Sequence, residues 1–582
     1  MFFDFTVIIP DVKGKIVRKK RADTTYVNYE YDRVYLPEKQ YTIPKRTTIG
    51  KVCDEDSSLM YPNANYLKFF PDAELPKERD RSWRSSCLRI GPYLVIRKIV
   101  QEYKLDEMLE RIIGKDAGLF LDLAAYSIIC EDNAAQYYPD YAYNHPLFTG
   151  DMRIYSDSKV SDFFREITVD QSTSFLNEWN ASRDHRERIY ISYDSTNKDC
   201  QAGDVEMAEI GHSKSGSDKP VINYALAYDR NNREPLFYED YPGSIVDVSQ
   251  LQYMLERAQG YGYRRVGFIL DRGYFSRENI HFMDRSGYDF VIMVKGKKKL
   301  VKEILLKKMG SFEEDRATGI RKYRSNGVTV KHRLFASDEK ERYFHLYYSN
   351  RKHAAEREQL EAKIDHQAAL LKRYEGRPVR IDPSYEKYFE LVYHQEEGKP
   401  EMFVGARERT AVINEEMKFC GYYCLITSEK MTAKEALLLY KSRDGSEKLF
   451  RGDKSYLGDN SMRVYTDESV MSKIFVEFVA LIIRGRIYTC LDDASNGAEN
   501  RPNFMTVPAA IKELEKIEMI RHLDHVYRLD HAVTKKQKII LNAFGIDTNY
   551  VKAEAKRISE QLSQSQGKGG PENGEDTENN LD

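Results

Sequence analysis

The chain has too few cysteines, too widely scattered, to be built on disulfides. Its seven, at 53, 87, 130, 200, 420, 424 and 490, include no Cys-x-x-Cys pair. That excludes a secreted disulfide scaffold and a zinc ribbon, and points to reduced thiols in a cytoplasmic protein. His522 and His525 have a His-x-x-His spacing, but no cysteine pair stands near them to complete a zinc site. Long apolar runs are missing as well. The best, 119–130 and 474–483, are too short for a bilayer and contain Asp122 and Glu477. The first ten residues carry no leading positive charge and no small-residue cleavage site, so neither a signal peptide nor a membrane span is expected. An excess of charge is also absent. Ninety Lys and Arg stand against 92 Asp and Glu, a net of −2. This excludes a uniformly basic nucleic-acid coat and a grossly acidic disordered chain, but not a protein with one basic face. Tryptophan is scarce, with 2 residues, whereas 42 Tyr and 26 Phe argue for folded structure over most of the length.

The 582 residues suggest about three to four structural units. Residues 1–110 read as short strands and turns, with alternation through Tyr26, Tyr29, Tyr31 and Tyr35. Within them, 13–21 holds six basic residues in nine, either a solvated face or a phosphate contact. Residues 111–187 read as helical. From 188 to 296 strands and helices alternate: strands at 189–193, 221–228, 235–241, 266–270 and 290–294, helices opening at Asp247 and after the Ser276 cap. Three strands, a helix, a strand, a helix and a strand make a mixed α/β sheet. The pattern stops over 297–419, which holds a strand-like segment and a charged helix at 353–374 and reads as an insertion domain. It resumes over 420–500 with a strand at 422–427 and a capping box, Thr432 to Glu435. Residues 501–560 read as helical, and 561–582 as a disordered tail.

Acids stand where such a sheet presents ligands. Asp194 follows the first strand and Asp271 the fourth, facing the crevice in which open sheets bind. Two carboxylates on adjacent strand ends repel unless a positive group lies between them, and hard oxygens suit magnesium or manganese. Either acid alone is more often a turn or capping residue. A third acid, Glu447, stands with Tyr440, Arg443 and Lys454 at offsets of 3, 7 and 14 from the tyrosine. At ~100° per residue one helix would bring all four within about 60°. Gly445 and Gly452 weaken that helix by roughly 1 kcal/mol each.

The run 440–454 matches at every position the Tyr-x2-Arg-x3-Glu-x6-Lys signature of one transposase group. With Asp194 in Tyr-Asp-Ser-Thr and Asp271 in Asp-Arg-Gly-Tyr-Phe, the chain resembles the DDE transposases of bacterial insertion sequences, in the insertion-sequence-four superfamily. Gly211-His212-Ser213-Lys214 resembles a segment of one branch of that group, and Ile49-Gly50-Lys51 does so more faintly. The resemblance is firm over 188–296 and 420–456.

That resemblance implies an α/β, RNase H-like catalytic core. Its mixed five-stranded sheet would be interrupted by a large insertion, with a mixed β/helical N-terminal and a helical C-terminal region. It implies two Mg2+ (or Mn2+) ions held by Asp194, Asp271 and Glu447, clamping the attacking and leaving oxygens of a phosphodiester. The reaction implied is cut-and-paste transposition, with a hairpin on the element end as one route. Tyr440, Arg443 and Lys454, with Lys214 and Arg272, would hold DNA backbone. The partners implied are double-stranded DNA, as terminal inverted repeats and target, and a second copy of the chain in a synaptic complex. The N-terminal region would take part in end binding. A lysine cluster at 295–308, seven in fourteen, is a surface patch or a further DNA contact. The competing readings are another RNase H-like endonuclease and a domesticated, non-catalytic DNA-binding protein. The intact acids argue against the second.

Overall fold

The computed structural model describes residues 2–3, 5–21, 24–37, 40–54, 56–73, 84–183, 188–200, 205–211, 219–245, 247–263, 265–294, 298–398, 400–443, 462–496, 505–524 and 526–565. The chain divides into two compact units. One comprises Met1–Glu178, Lys198–Glu206 and Arg451–Asp582, and the other Trp179–Asn197 and Met207–Phe450.

The first unit opens with a sheet of β1 (Val7–Ile8), β2 (Ile16–Arg21), β3 (Thr24–Leu36), β4 (Tyr41–Val52) and β5 (Leu59–Pro62), in the order β1-β5-β4-β3-β2. The alternation read from the tyrosines is resolved into two faces. Val27, Ile49 and Met60 are fully buried on one face, with Ile9 and Tyr66 beside them. A short strand, β6 (Cys87–Arg89), then pairs with Glu518–Arg521, which pairs in turn with Tyr527–Leu529. These last two strands correct the helical reading of 501–560. Three- and four-residue strands carry almost no local signal, and their partner lies more than 400 positions away. The helix Thr548–Ser565 also runs past the expected start of the tail, and residues beyond 565 lie outside those described.

Both apolar runs fold as buried helices of this unit, Ala117–Cys130 and Asp467–Asn496. Their acids are clamps. Asp122 accepts from the backbone N–H of Phe148 at 2.6 Å and of Thr149 at 3.0 Å, and from the Thr149 hydroxyl. Burial pushes its carboxyl up to about 7. Glu477 accepts from Lys198 at 2.9 Å and from the Asn133 amide at 3.0 Å. Among the described residues no helix is long and apolar enough to cross a membrane.

The second unit is organised on β7 (Ile189–Asp199), β8 (Val221–Asp229), β9 (Glu234–Pro242), β10 (Val266–Leu270), β11 (Asp289–Met293), β12 (Gly319–Ile320), β13 (Ser325–Arg333) and β14 (Glu341–Tyr348). A hairpin, β15 (Phe389–His394) and β16 (Met402–Glu408), and then β17 (Tyr422–Thr427), follow. One mixed sheet runs β12-β13-β14-β17-β11-β10-β7-β8-β9. It has nine strands where five were expected. β17 pairs antiparallel with β11, and the segment 297–419 supplies β14, β13 and β12 beyond it. An unpaired strand edge is costly, and the insertion extends the sheet from the edge of β17 rather than leaving it open there. Periodicity marks a strand but does not say which edge it joins. The β15–β16 hairpin packs separately against the long helix Asn350–Tyr374, around Ile364, Leu371, Phe389 and Phe403.

His345 on β14 pins three strands. Its Nδ1 lies 2.9 Å from the Thr329 hydroxyl and its Nε2 2.9 Å from the Thr427 hydroxyl. Burial pushes the imidazolium down to about 4, from an ordinary 6.5. Between those two values the unfolded chain takes up a proton that the folded chain refuses. Stability is therefore intact above pH ~6.5 and lost as pH falls toward ~4, at roughly 1.4 kcal/mol per unit. His345→Gln is expected to flatten this part of the curve of unfolding midpoint against pH. An unchanged slope would exclude His345 as its source.

Candidate active site

β7 does not end before Asp194 as the sequence reading has it. The strand continues to Asp199, because 195–197 are buried and Asn197 donates to Asn223 on β8 at 2.6 Å. Asp194 therefore sits mid-strand. β10 pairs parallel to β7 with Leu270 opposite Tyr193. The next residue on each strand is an acid, Asp271 beside Asp194, at one level of two neighbouring strands. Asp271 leaves β10 into the single turn Arg272–Tyr274, whose Tyr274 N–H donates to the Asp271 carbonyl at 3.1 Å.

Side chains alternate along a strand, so Tyr190 and Asp194 share a face with Ile269 and Asp271. That face is covered by the helix Ala433–Lys441. Ile269 and Tyr190 pack into the cluster that holds Leu437, Leu439 and Tyr440. The helix starts as the sequence predicts. Thr432 accepts from the Glu435 N–H at 3.2 Å, and the Glu435 carboxylate accepts from the Thr432 N–H at 2.8 Å. Two features let it lie close. Gly267 faces the ring of Tyr190, which a Cβ there would strike. The fully buried Tyr347, on β14, donates to the Ala433 carbonyl at 2.7 Å. Opposite it a Cβ at Gly327 would lie 2.7 Å from the Tyr347 ring and 3.1 Å from the Ala433 methyl. The added strands are thus part of the floor on which this helix rests.

The helix brings Tyr440 and Arg443 to Asp271. The Tyr440 hydroxyl lies 3.4 Å from Asp271 Oδ1, and the Arg443 guanidinium 2.9 Å from the same oxygen and 5.5 Å from the Tyr440 ring centre. Arg443 follows directly on the helix C-cap, Ser442. Glu447 and Lys454 lie outside the described residues, as does Lys214. Arg272 is exposed, one residue after Asp271. The lysine cluster is described from Lys298, where the helix Lys298–Leu306 begins.

A second set of residues supports the strand ends from the opposite face. Tyr193, fully buried between β10 and β8, donates to Glu239 on β9 at 3.1 Å, and Gln250 donates to the same carboxylate oxygen at 3.3 Å. Burial raises the Glu239 carboxyl above its ordinary range. The Tyr193 ring lies 5.4 Å from that of Tyr274. The residue before Asp194 is thereby locked to the one three after Asp271. Tyr274 is the tyrosine of the Asp-Arg-Gly-Tyr-Phe motif, whereas Glu239 belongs to no motif of the sequence. Glu239 stands beside a second acid, Asp240, in its strand, and nothing local names its partner.

The donor set fits a divalent cation. Asp194 and Asp271 are hard oxygen donors at one level of adjacent strands. The Tyr440 hydroxyl and the Arg443 guanidinium both meet Asp271 at Oδ1. A positive group already lies at this carboxylate, as like charges on neighbouring strands require. Among the described residues no three metal-ligating side chains cluster, the third acid being outside them.

The family model described as "Transposase DDE domain" matches residues 191–483, which include both aspartates and the Tyr440–Lys454 run. No curated protein matches the chain. Among solved structures, the cryo-EM structure of the piggyBac transposase synaptic complex with hairpin DNA is similar at 10% identity and a TM-score of 0.32. The overlap takes in 80% of this chain and 82% of that one, too loosely to place any residue. With half of its 582 residues matched by that domain, the chain belongs to the transposase DDE-domain family.

Proposed function

We propose that the protein cleaves DNA strands at the ends of a bacterial insertion sequence and joins the freed ends to target DNA, by cut-and-paste transposition. The observation that carries this reading is the register of β7 and β10, which sets Asp194 beside Asp271 beneath the helix of Tyr440 and Arg443. The mixed sheet, with the strand order β9-β8-β7-β10-β11 and β10 parallel to both neighbours, supports the RNase H-like reading of the core. Asp194, Asp271 and Glu447 would hold Mg2+ or Mn2+, two ions by resemblance. The cations, when bound, lower the charge on the phosphodiester and favour loss of a proton from the attacking hydroxyl.

The chain's own groups hold the substrate. Arg443 presents a planar fork to a phosphate and Tyr440 a hydroxyl donor, and both are aimed at Asp271 before DNA arrives. Lys454, Lys214 and Arg272 add point or planar charges along the backbone. Asp271 keeps the Arg443 guanidinium in place until a phosphate shares it. The partners in this reading are terminal inverted repeats, target duplex and a second copy of the chain, acting on the nucleoid in the cytoplasm.

Purified protein, Mg2+ and duplexes carrying the element ends test the reading. Nicking at the end with a free 3′-hydroxyl, stimulated by adding the paired end, is expected. A chelator should abolish it and leave duplex binding in place. Nicking indifferent to a matched pair of ends would favour a structure-specific nuclease instead.

A further inference from the structure

The N-terminal sheet has a second face, and its composition differs from that of the buried one. Register places four residues in a row across it. Lys19 on β2 is opposite Tyr26 on β3, Tyr26 opposite Lys51 on β4, and Lys51 opposite Tyr61 on β5. The Lys51 ammonium lies 4.9 Å from the centre of the Tyr61 ring. Lys19 is exposed and the other three are half-buried. Two rungs along β3, on the same face, stands Glu30. It is 3% exposed and accepts from Arg33 at 2.5 Å and from Arg46 at 3.0 Å, whose side chains are 68% and 43% exposed. The carboxylate is thus neutralised twice over and fixes two guanidiniums facing solvent. Between row and pair lie Asn28 and Thr48, hydrogen-bonded to each other at 2.8 Å.

We propose that this face, built on the Lys19–Tyr26–Lys51–Tyr61 row and the Glu30-held Arg33 and Arg46, grips the phosphate backbone of duplex DNA. The proposal rests on the transposase reading for the identity of the polyanion. The choice of occupant follows from charge. In a chain of net −2, four cations share one sheet face whose acid is already paired. Lys19 and Lys51 stand two strands apart, about 10 Å, close to the ~12 Å width of a major groove. They can therefore meet phosphates on either side of it. Lysines interleaved with tyrosine, and no row of base-reading amides, suit backbone contact without sequence choice. This grip is separate from the phosphate contacts proposed for Tyr440 and Arg443.

The test compares the full wild-type chain with Lys19→Ala/Lys51→Ala and Lys19→Arg/Lys51→Arg. Affinity for an element-end duplex and for a random duplex is measured by anisotropy across a salt series. Arg33 and Arg46 are left intact, since removing either would leave buried Glu30 short of a partner. The alanine pair should lower the slope of log affinity against log salt by about 2, one phosphate contact per lysine, and weaken binding on the order of fiftyfold at 0.1 M salt. Both duplexes should be affected alike, and the arginine pair should bind as wild type. Circular dichroism and the thermal midpoint establish that each variant is folded. Wild-type slope in the folded alanine pair overturns the proposal. So does an unchanged slope with loss of a dimer by light scattering, which would assign the face to a second copy. A wild-type chain that nicks element ends while the alanine pair keeps its slope overturns this face alone. Loss of slope in a protein that never nicks supports the face and removes the transposase reading.

Discussion

Asp194→Asn, Asp271→Asn and Glu447→Gln are each expected to lower strand cleavage by more than about a thousandfold, some 4 kcal/mol on the barrier. Each should leave end binding within about threefold of wild type, because removing a carboxylate beside phosphates takes away repulsion rather than contact. The isosteric amides keep volume and hydrogen bonding, so β7 and β10 should pair as before. What the amides lose is the charge that holds a cation. Asp271→Asn also removes the ionic partner of Arg443, which lies 2.9 Å away. That variant should therefore show some looser binding of the cleavage-site phosphate as well as lost cleavage. Gel assays of nicking beside anisotropy on the same duplex separate the two effects. Near wild-type nicking by any one of the three would remove that residue from the site.

The second large effect is on stability. Lys198 and Glu477 are 0% and 2% exposed and 2.9 Å apart. Removing one member of a buried ion pair leaves the other desolvated and unpaired, which costs about 3–5 kcal/mol. Lys198→Met should fall toward the lower end, about 3 kcal/mol. Glu477 keeps the Asn133 amide, and Lys473 lies one turn earlier on the same helix. Lys473 is itself buried, donates to the Met462 carbonyl at 2.6 Å, and is pulled down to about 8 by burial. The double variant Lys198→Met/Glu477→Leu should be more stable than Lys198→Met alone, since no charge is left stranded. Urea midpoints of the three proteins decide it. A double variant less stable than the single one would mean that the pair matters for its shape and not its charge.

Much of the site could be read in one dimension, for a physical reason. Asp271 follows a five-residue apolar strand and precedes a Gly-Tyr-Phe turn, and Thr432 and Glu435 announce a helix start by side-chain chemistry alone. These signals are local, and the structure uses each where it was expected. Asp194 was displaced. The polar residues after it suggested that the strand had ended, whereas burial of 195–197 and the Asn197–Asn223 bond carry it on. Glu239 carries no such signal, because its meaning lies wholly in its partner across the sheet, Tyr193. The run of basic residues at 13–21 was visible as a run. That Lys19 alternates with Tyr26, Lys51 and Tyr61 across four strands was not.

The sequence by itself supplied the residue types and the local elements: two aspartates beside strand patterns, a Tyr-Arg-Glu-Lys run and capped helices. Residue type and short-range periodicity suffice for that, because capping, alternation and turns involve neighbours along the chain. Only the tertiary structure decided that 297–419 extends the sheet of Asp194 and Asp271 by β12–β14, that Tyr347 from those strands holds the helix of Tyr440, and that Asp122 and Glu477 serve as buried clamps. Each of these depends on which distant segment satisfies an open strand edge, a carbonyl or a buried charge, and that choice is made by packing.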